Sequence, residues 1–139
     1  MSSVHYTAVA TANGRDGKAV SADGKLDVVL AAPTELGGSG AGTNPEQLFA
    51  AGYSACFASA LAAVARGTGH DVKDVSVTAE VGIGGSVAEG FNLSVVLRVE
   101  LPDDFDAETG RDLVAKAHQV CPYSNATRGN IEVTLSVIE

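Results

Sequence analysis

From Gln47 to Ala65 the chain carries no charged residue, and this uninterrupted stretch constrains the fold more than any other feature. Its length approaches the roughly 20 residues that a bilayer span requires. The composition argues against that use: Ala, Gly and Ser predominate, and neither flank holds a Lys/Arg cluster that would set an orientation. The stretch therefore reads as a long helix buried in protein. Asn44 supplies an N-cap, Pro45 a first helical residue and Glu46 a carboxylate for the first turn. The spacing predicts a helix from there to about Arg66, stopped at Gly67 or Gly69. Small residues lie on nearly every face: Ala50, Ala51, Gly52, Ser54, Ala55, Ala58, Ser59, Ala62 and Ala63. A helix apolar all round is a central one, and side chains this small let another backbone approach closely.

Before the helix, Val4–Ala12, Lys18–Ala22 and Lys25–Leu30 read as a β meander. Asn13-Gly14 and Asp23-Gly24 offer the positive φ values that tight hairpins demand, and the first of these turns carries Arg15 and Asp16 near its tip. Residues 33–42 read as a glycine-dense loop without helical or strand period. After the helix come strands at about Asp74–Ile83 and Phe91–Leu101, the second stopped by Pro102. Val75, Val77, Ala79 and Val81 alternate with polar neighbours, so one face of the first is buried. Asp106 caps a second, amphipathic helix to about Val120, with Leu113, Val114, Ala117 and Val120 on its apolar side. Ile131, Val133, Leu135 and Val137 then alternate along a C-terminal strand. This order predicts an α+β (mixed α/β) fold: a meander, a long central helix, further antiparallel strands and a second helix. Residues 1–139 fit one domain, and 45% hydrophobic residues supply a core that Ala, Val, Leu and Ile must fill, since aromatics are only 5% and Trp is absent.

A net charge of −8 and the lack of any basic run oppose a role on nucleic acid or anionic lipid. The opening residues Met1-Ser-Ser-Val-His lack the basic patch and apolar run of a signal peptide, so a cytoplasmic location is expected. In that compartment the two cysteines, Cys56 and Cys121, read as metal-binding or catalytic rather than as a structural staple.

Cys56 lies mid-helix, where a free cysteine commonly serves only as a small buried hydrophobe. Cys121 precedes Pro122 in a polar run read as a turn, which would give it access and freedom of movement. Together they form a candidate redox pair. A thiol attacks peroxide as the thiolate, and an ordinary cysteine with a pKa of about 8.5 is only slightly ionised at neutral pH. Mid-helix placement brings no help from a helix N-terminus, so Cys56 needs a cation, and the chain has only nine Lys plus Arg. Arg15 is a candidate, with a solvated hairpin tip as its plain alternative; Glu46 likewise could serve only the helix N-terminus. Phe49, Tyr53 and Phe57 near Cys56 could line an apolar substrate pocket or simply pack the core. Other constellations are weak. Residues 37–42 are rich in glycine but lack the Lys-Ser/Thr ending of a phosphate loop. His5, His70, His118 and the cysteines have no metal-ligand spacing, and no G-x-S-x-G elbow begins a Ser-His-Asp site.

Two long segments carry more. Gly42-Thr-Asn-Pro-Glu-Gln-Leu-Phe-Ala-Ala-Gly-Tyr-Ser-Ala-Cys-Phe resembles the peroxidatic helix of the organic hydroperoxide resistance proteins, in the superfamily of osmotically inducible protein C. Cys121-Pro-Tyr-Ser-Asn-Ala-Thr-Arg-Gly-Asn-Ile-Glu-Val resembles the resolving-cysteine segment of the same family. The likeness spans essentially the whole chain. It implies that Cys56 is the peroxidatic cysteine and Cys121 the resolving one, that Arg15 steadies thiolate and peroxide, and that Glu46 holds Arg15. It further implies reduction of organic, including fatty-acid, hydroperoxides. By the same resemblance no metal or haem is bound, dihydrolipoamide on a lipoylated protein is the reductant, and the assembly is an intertwined homodimer. Helix geometry bears on the dimer separately. Glu46 and Cys56 are ten residues apart, about 15 Å along a helix axis. If both serve one site, Arg15 must span the gap or a second subunit must supply the glutamate. A redox sensor or lipid-binding module, and a structural dimer with inert thiols, are the alternatives from other classes.

Overall fold

A computed structural model describes residues 3–72, 74–102 and 105–138; Met1 and Ser2 of the opening segment lie outside the described residues. The chain divides into two compact units, Met1–Leu48 and Phe49–Glu139, with the boundary inside the long helix α1 (Pro45–Gly67).

The first unit is built on an antiparallel three-stranded sheet, order β1-β2-β3, from β1 (Ala10–Ala12), β2 (Lys18–Ser21) and β3 (Asp27–Val29). Asp23 closes the second turn. Its carboxylate accepts from Ser21 Oγ at 2.6 Å and from the Lys25 N–H at 3.0 Å, while Gly24 takes φ +76°. Arg15 and Asp16 lie in the loop between β1 and β2, as expected. The first strand is much shorter than its alternation suggested. Its partner β2 has only four residues, so the chain before Ala10 outruns it; beyond the ladder the Val9 carbonyl accepts from the Ala22 N–H at 2.8 Å. Val4 and Tyr6 are consequently 79% exposed. β3 begins at Asp27 rather than Lys25 because the turn consumes the preceding residues. The glycine-dense loop holds a 3₁₀ turn at Thr34–Leu36. A Cβ at Gly38 would meet the Ala32 carbonyl, so glycine there serves close backbone approach.

α1 starts as predicted. Asn44 Oδ1 accepts from the Gln47 N–H at 2.8 Å, satisfying one of the free amides of the first turn.

In the second unit β4 (Ser76–Ser86) and β5 (Gly90–Glu100) form a long antiparallel hairpin, in register from Ser76↔Glu100 to Ser86↔Gly90. The chain then passes through α2 (Ala107–Val120) and α3 (Pro122–Thr127) to β6 (Val133–Ile138), which lies on the other edge of β5. Antiparallel pairing was expected here; β5 and β6 are parallel, because the helical crossover returns the chain to the same end of the sheet. Asp106 caps α2 as predicted, accepting from the Thr109 N–H at 2.8 Å.

The core gathers Tyr53, Phe57 and Leu61 of α1, Val95, Leu97 and Val99 of the central strand, and Leu113, Val114 and Ala117 of α2. Fully burying a side chain such as Phe57 or Leu97 contributes about 1.5–3 kcal/mol. Val120 is not among them. It is 51% exposed, and the inward position after Ala117 belongs to Cys121. Nor is α1 covered all round. Tyr53, Phe57, Leu61 and Ala65 are wholly buried, whereas Ala51, Ala55, Ser59 and Ala63 form an exposed stripe at four-residue spacing. Its length and apolarity would suit a membrane span. One face, however, is sunk in protein, and the other is small and partly polar.

Candidate active site

Cys56 and Cys121 are both free thiols, with Sγ atoms 3.5 Å apart. The elements that bring them together are α1, which carries Cys56 on the flank of its buried face, and the junction of α2 with α3. Cys121 occupies that junction. Its N–H closes α2 on the Ala117 carbonyl at 2.8 Å, and its extended backbone (φ −61°, ψ 123°) caps α3. The polar run after it is therefore not a free turn. Pro122 starts a helix, and Cys121 is wholly buried. The expected roles of access are thus reversed: Cys56 is the half-buried sulfur and Cys121 the enclosed one.

Burial pushes the Cys56 thiol above its ordinary pKa, and the neighbouring Cys121 adds to the rise; the backbone N–H of Tyr123, hydrogen-bonded to the sulfur, opposes both. That amide is a contributor which the sequence reading missed. The helix-start signature of Pro122 after Cys121 was the available signal, since it turns the Tyr123 N–H into one of the unpaired amides of a first turn.

The segments that carry the cysteines also bring three rings together. Phe49 stacks on Tyr123 at 5.8 Å and meets Tyr53 edge-on at 5.8 Å, while Tyr53 and Tyr123 are 5.6 Å apart. Gly52 makes room for this arrangement, because a Cβ there would lie 2.7 Å from the Tyr123 hydroxyl. Of the three aromatics singled out from the sequence, Tyr53 and Phe57 have no exposed surface and pack the core. Phe49 is partly open, and Tyr123, 36% exposed, is the ring that sequence reasoning passed over.

The other pair lies in the first unit. Arg15 donates from Nη2 to Glu46 Oε1 at 2.8 Å and from Nη1 to Oε2 at 3.1 Å, a two-pronged contact across the hairpin loop and the first turn of α1. Arg15 is 43% exposed at its side chain and Glu46 only 13%. The guanidinium holds the Glu46 carboxyl below the usual carboxylate range, and the carboxylate in turn raises Arg15. Arg15 is thus more than a solvated loop tip, and Glu46 more than a charge for the helix end. Among the described residues no group of three or more His, Cys, Asp or Glu side chains is arranged to hold a metal ion.

Residues 37–136 match the model of the OsmC-like protein family. An organic hydroperoxide resistance protein of Xanthomonas axonopodis pv. citri is 56% identical over 137 residues, covering 96% of this chain and 95% of that protein. The organic hydroperoxide resistance protein OhrA of Bacillus subtilis is 46% identical over 143 residues, across the full length of both. Among solved structures, an organic hydroperoxide resistance protein from Legionella pneumophila superposes with a TM-score of 0.93 at 48% identity, covering 99% of this chain and all of that one. OhrB of Bacillus subtilis gives 0.86 at 41% identity, covering 97% of this chain and 100% of that one.

Proposed function

This chain belongs to the organic hydroperoxide resistance family of OsmC-like proteins, and from that membership we propose that it is a cysteine-based peroxidase reducing organic, including fatty-acid, hydroperoxides to alcohols. The observation that carries the reading is the pair of free thiols 3.5 Å apart, one half-buried and one enclosed. Cys56, the more open sulfur, attacks the distal oxygen of the hydroperoxide as thiolate. The O–O bond breaks, the alkoxide takes a proton and leaves as alcohol, and Cys56 becomes a sulfenic acid. Cys121 then attacks that sulfur, the S–S bond forms, and the hydroxyl leaves with a proton as water. Two electrons have passed from the thiols to the peroxide. A dithiol such as dihydrolipoamide on a lipoylated protein restores the pair by exchange. No bound cofactor enters the cycle.

Burial raises Cys56, so the thiolate needs positive charge beyond the Tyr123 amide. We assign that role to Arg15, fixed by Glu46; the two-pronged contact between them, and the resemblance of Asn13-Gly-Arg-Asp-Gly and Asn44-Pro-Glu-Gln to the family's segments, support the assignment. Apolar substrate groups are assigned to Phe49 and, at the open edge, Tyr123, with Tyr53 and Phe57 behind them. We also propose a homodimer. The exposed small-residue stripe of α1 and the exposed apolar segment at Val4, Tyr6 and Val9 are surfaces that a second copy would cover. Sedimentation should give twice the 14.0 kDa chain mass. A cycle that restarts from two thiols needs a reducing compartment, so we assign it to the cytosol.

The experiment is mass spectrometry after one equivalent of cumene hydroperoxide. A Cys56–Cys121 disulfide formed within seconds and reset repeatedly by dihydrolipoamide is the expected outcome. Unmodified thiols would sink the reading, and slow oxidation without turnover would make the protein a sensor instead.

A further inference from the structure

One helical turn from the sulfurs, the same two helices make a second contact. Tyr53 precedes Cys56 by three residues on α1, and Ser124 follows Cys121 by three at the start of α3, so each pair shares a helix face. The Tyr53 hydroxyl stands 2.8 Å from Ser124 Oγ and 3.3 Å from Thr127 Oγ1. From α2, His118 Nδ1 reaches Ser124 Oγ at 2.7 Å. Tyr53 and Ser124 are wholly buried and Thr127 is 6% exposed. Three helices are therefore pinned at one point, where Tyr53, Ser124 and Thr127 have no water to fall back on and His118 is half-buried.

The hydrogens can be distributed without leaving a gap. Thr127 Oγ1 donates to the Tyr123 carbonyl at 3.0 Å and so accepts from Tyr53, which accepts from Ser124, which accepts from His118 Nδ1–H. The Arg128 guanidinium, donating to the His118 carbonyl and to Asn125 Oδ1, fastens the other end of α3 to α2. An apolar pair in place of Tyr53 hydroxyl and Ser124 would serve the core nearly as well, since satisfied hydrogen bonds add little net stability there. What directional bonds add is register, and register is what the sulfurs need. Closing them from 3.5 Å to a bond of about 2.0 Å leaves little tolerance for α3 to slide along α1.

We propose that Tyr53, Ser124 and His118 form a clamp of positioning residues that holds Cys121 in register with Cys56 and thereby sets the rate of disulfide closure, not of peroxide attack. The proposal rests on the cysteine cycle above. A slower closure leaves the Cys56 sulfenic acid exposed to a second hydroperoxide, which would carry it to sulfinic acid with release of another alcohol.

Ser124→Ala, His118→Leu and His118→Gln separate the possibilities, compared after rapid mixing with cumene hydroperoxide. In Ser124→Ala and His118→Leu the first phase of peroxide consumption should keep its rate, while closure slows about tenfold and sulfinic Cys56 rises in proportion. His118→Gln, which retains a donor, should recover most of the loss. Unchanged closure in folded Ser124→Ala and His118→Leu overturns the clamp, as does equal slowing of both phases. Should Ser124→Ala fail to fold, the half-buried position 118 carries the test. Closure driven by diamide, without peroxide, keeps this apart from the peroxidase reading. If the wild type ignores peroxide, that reading falls, and slower diamide closure in the variants still upholds the clamp; equal diamide rates overturn it.

Discussion

The Arg15–Glu46 pair and the Cys56–Cys121 pair are built by opposite means. The ion pair joins a hairpin loop to the first turn of α1, half in solvent, through two directional hydrogen bonds. The sulfurs meet at the edge of the core, where packing of α1 against α2 and α3 decides their distance. The exposed pair is screened and contributes at most about 1 kcal/mol to stability, whereas the sulfurs cannot be altered without touching buried neighbours. Chemistry and stability should therefore come apart in the first region and stay entangled in the second.

Cys56→Ser gives the largest effect on that comparison. A serine hydroxyl does not replace the thiolate, and peroxide reduction should fall by roughly 10⁴-fold or more, read as peroxide consumed in the presence of dihydrolipoamide. Cys121→Ser should consume a first equivalent but accumulate overoxidised Cys56, and should lose turnover. Because Cys121 is wholly buried, the new hydroxyl should also lower stability, by about 1–3 kcal/mol in denaturant unfolding. Normal turnover by this variant with dihydrolipoamide would remove its resolving role.

Next comes Arg15→Ala, with activity expected to drop about 100-fold while stability changes by less than about 1 kcal/mol. Arg15→Lys should recover only part of the activity, since an ammonium cannot reproduce the two-pronged contact. A loss of activity no larger than the loss of stability would erase the contrast between the two regions.

Much of the molecule is legible in its sequence, though unevenly. The caps at Asn44 and Asp106 and the alternation in β4 and β6 are local signals, and they locate their elements well. The first strand is misjudged because alternation at Val4 and Tyr6 says nothing about whether a partner strand is long enough to receive it. Cys121 is misjudged differently. Polarity in Pro122-Tyr-Ser-Asn suggests a turn, yet Ser124 and Thr127 are polar residues spent on buried hydrogen bonds, which no one-dimensional pattern distinguishes from solvated ones. Cysteine pairing and the Arg15–Glu46 contact follow from the resemblance of whole segments, since contacts between residues so far apart leave no trace in spacing.

A smaller effect is expected from acid. The Glu46 carboxyl is lowered by Arg15, so its contribution to stability is complete above its unfolded pKa and is lost as pH falls through the lowered folded value. Half-exposure of Arg15 limits that contribution to under about 1 kcal/mol. Glu46→Gln should accordingly flatten the acid limb of a stability-against-pH curve below about pH 4.5 and leave neutral pH little changed. An unchanged acid limb would mean that the pair does not form in solution.

Gly52→Ala should be the mildest change and the most telling about the sulfur region. Alanine favours the helix by about 0.5–1 kcal/mol, but its Cβ would lie 2.7 Å from the Tyr123 hydroxyl. That hydroxyl ends a side chain already 36% exposed, so the ring can swing outward and surrender its stacking on Phe49, a loss of about 0.5–1 kcal/mol. The two terms nearly cancel, and unfolding should shift by less than about 0.5 kcal/mol. The Tyr123 amide belongs to the backbone and stays on Cys56, so attack on a small hydroperoxide should be little affected. The apolar wall beside the sulfur, however, has moved. The ratio of kcat/KM for cumene hydroperoxide to that for hydrogen peroxide should fall several-fold, as expected for a changed apolar contact. A fall in both rates together would instead mean that the ring holds the thiolate amide in place, and the boundary between packing and chemistry would then run through Tyr123 itself.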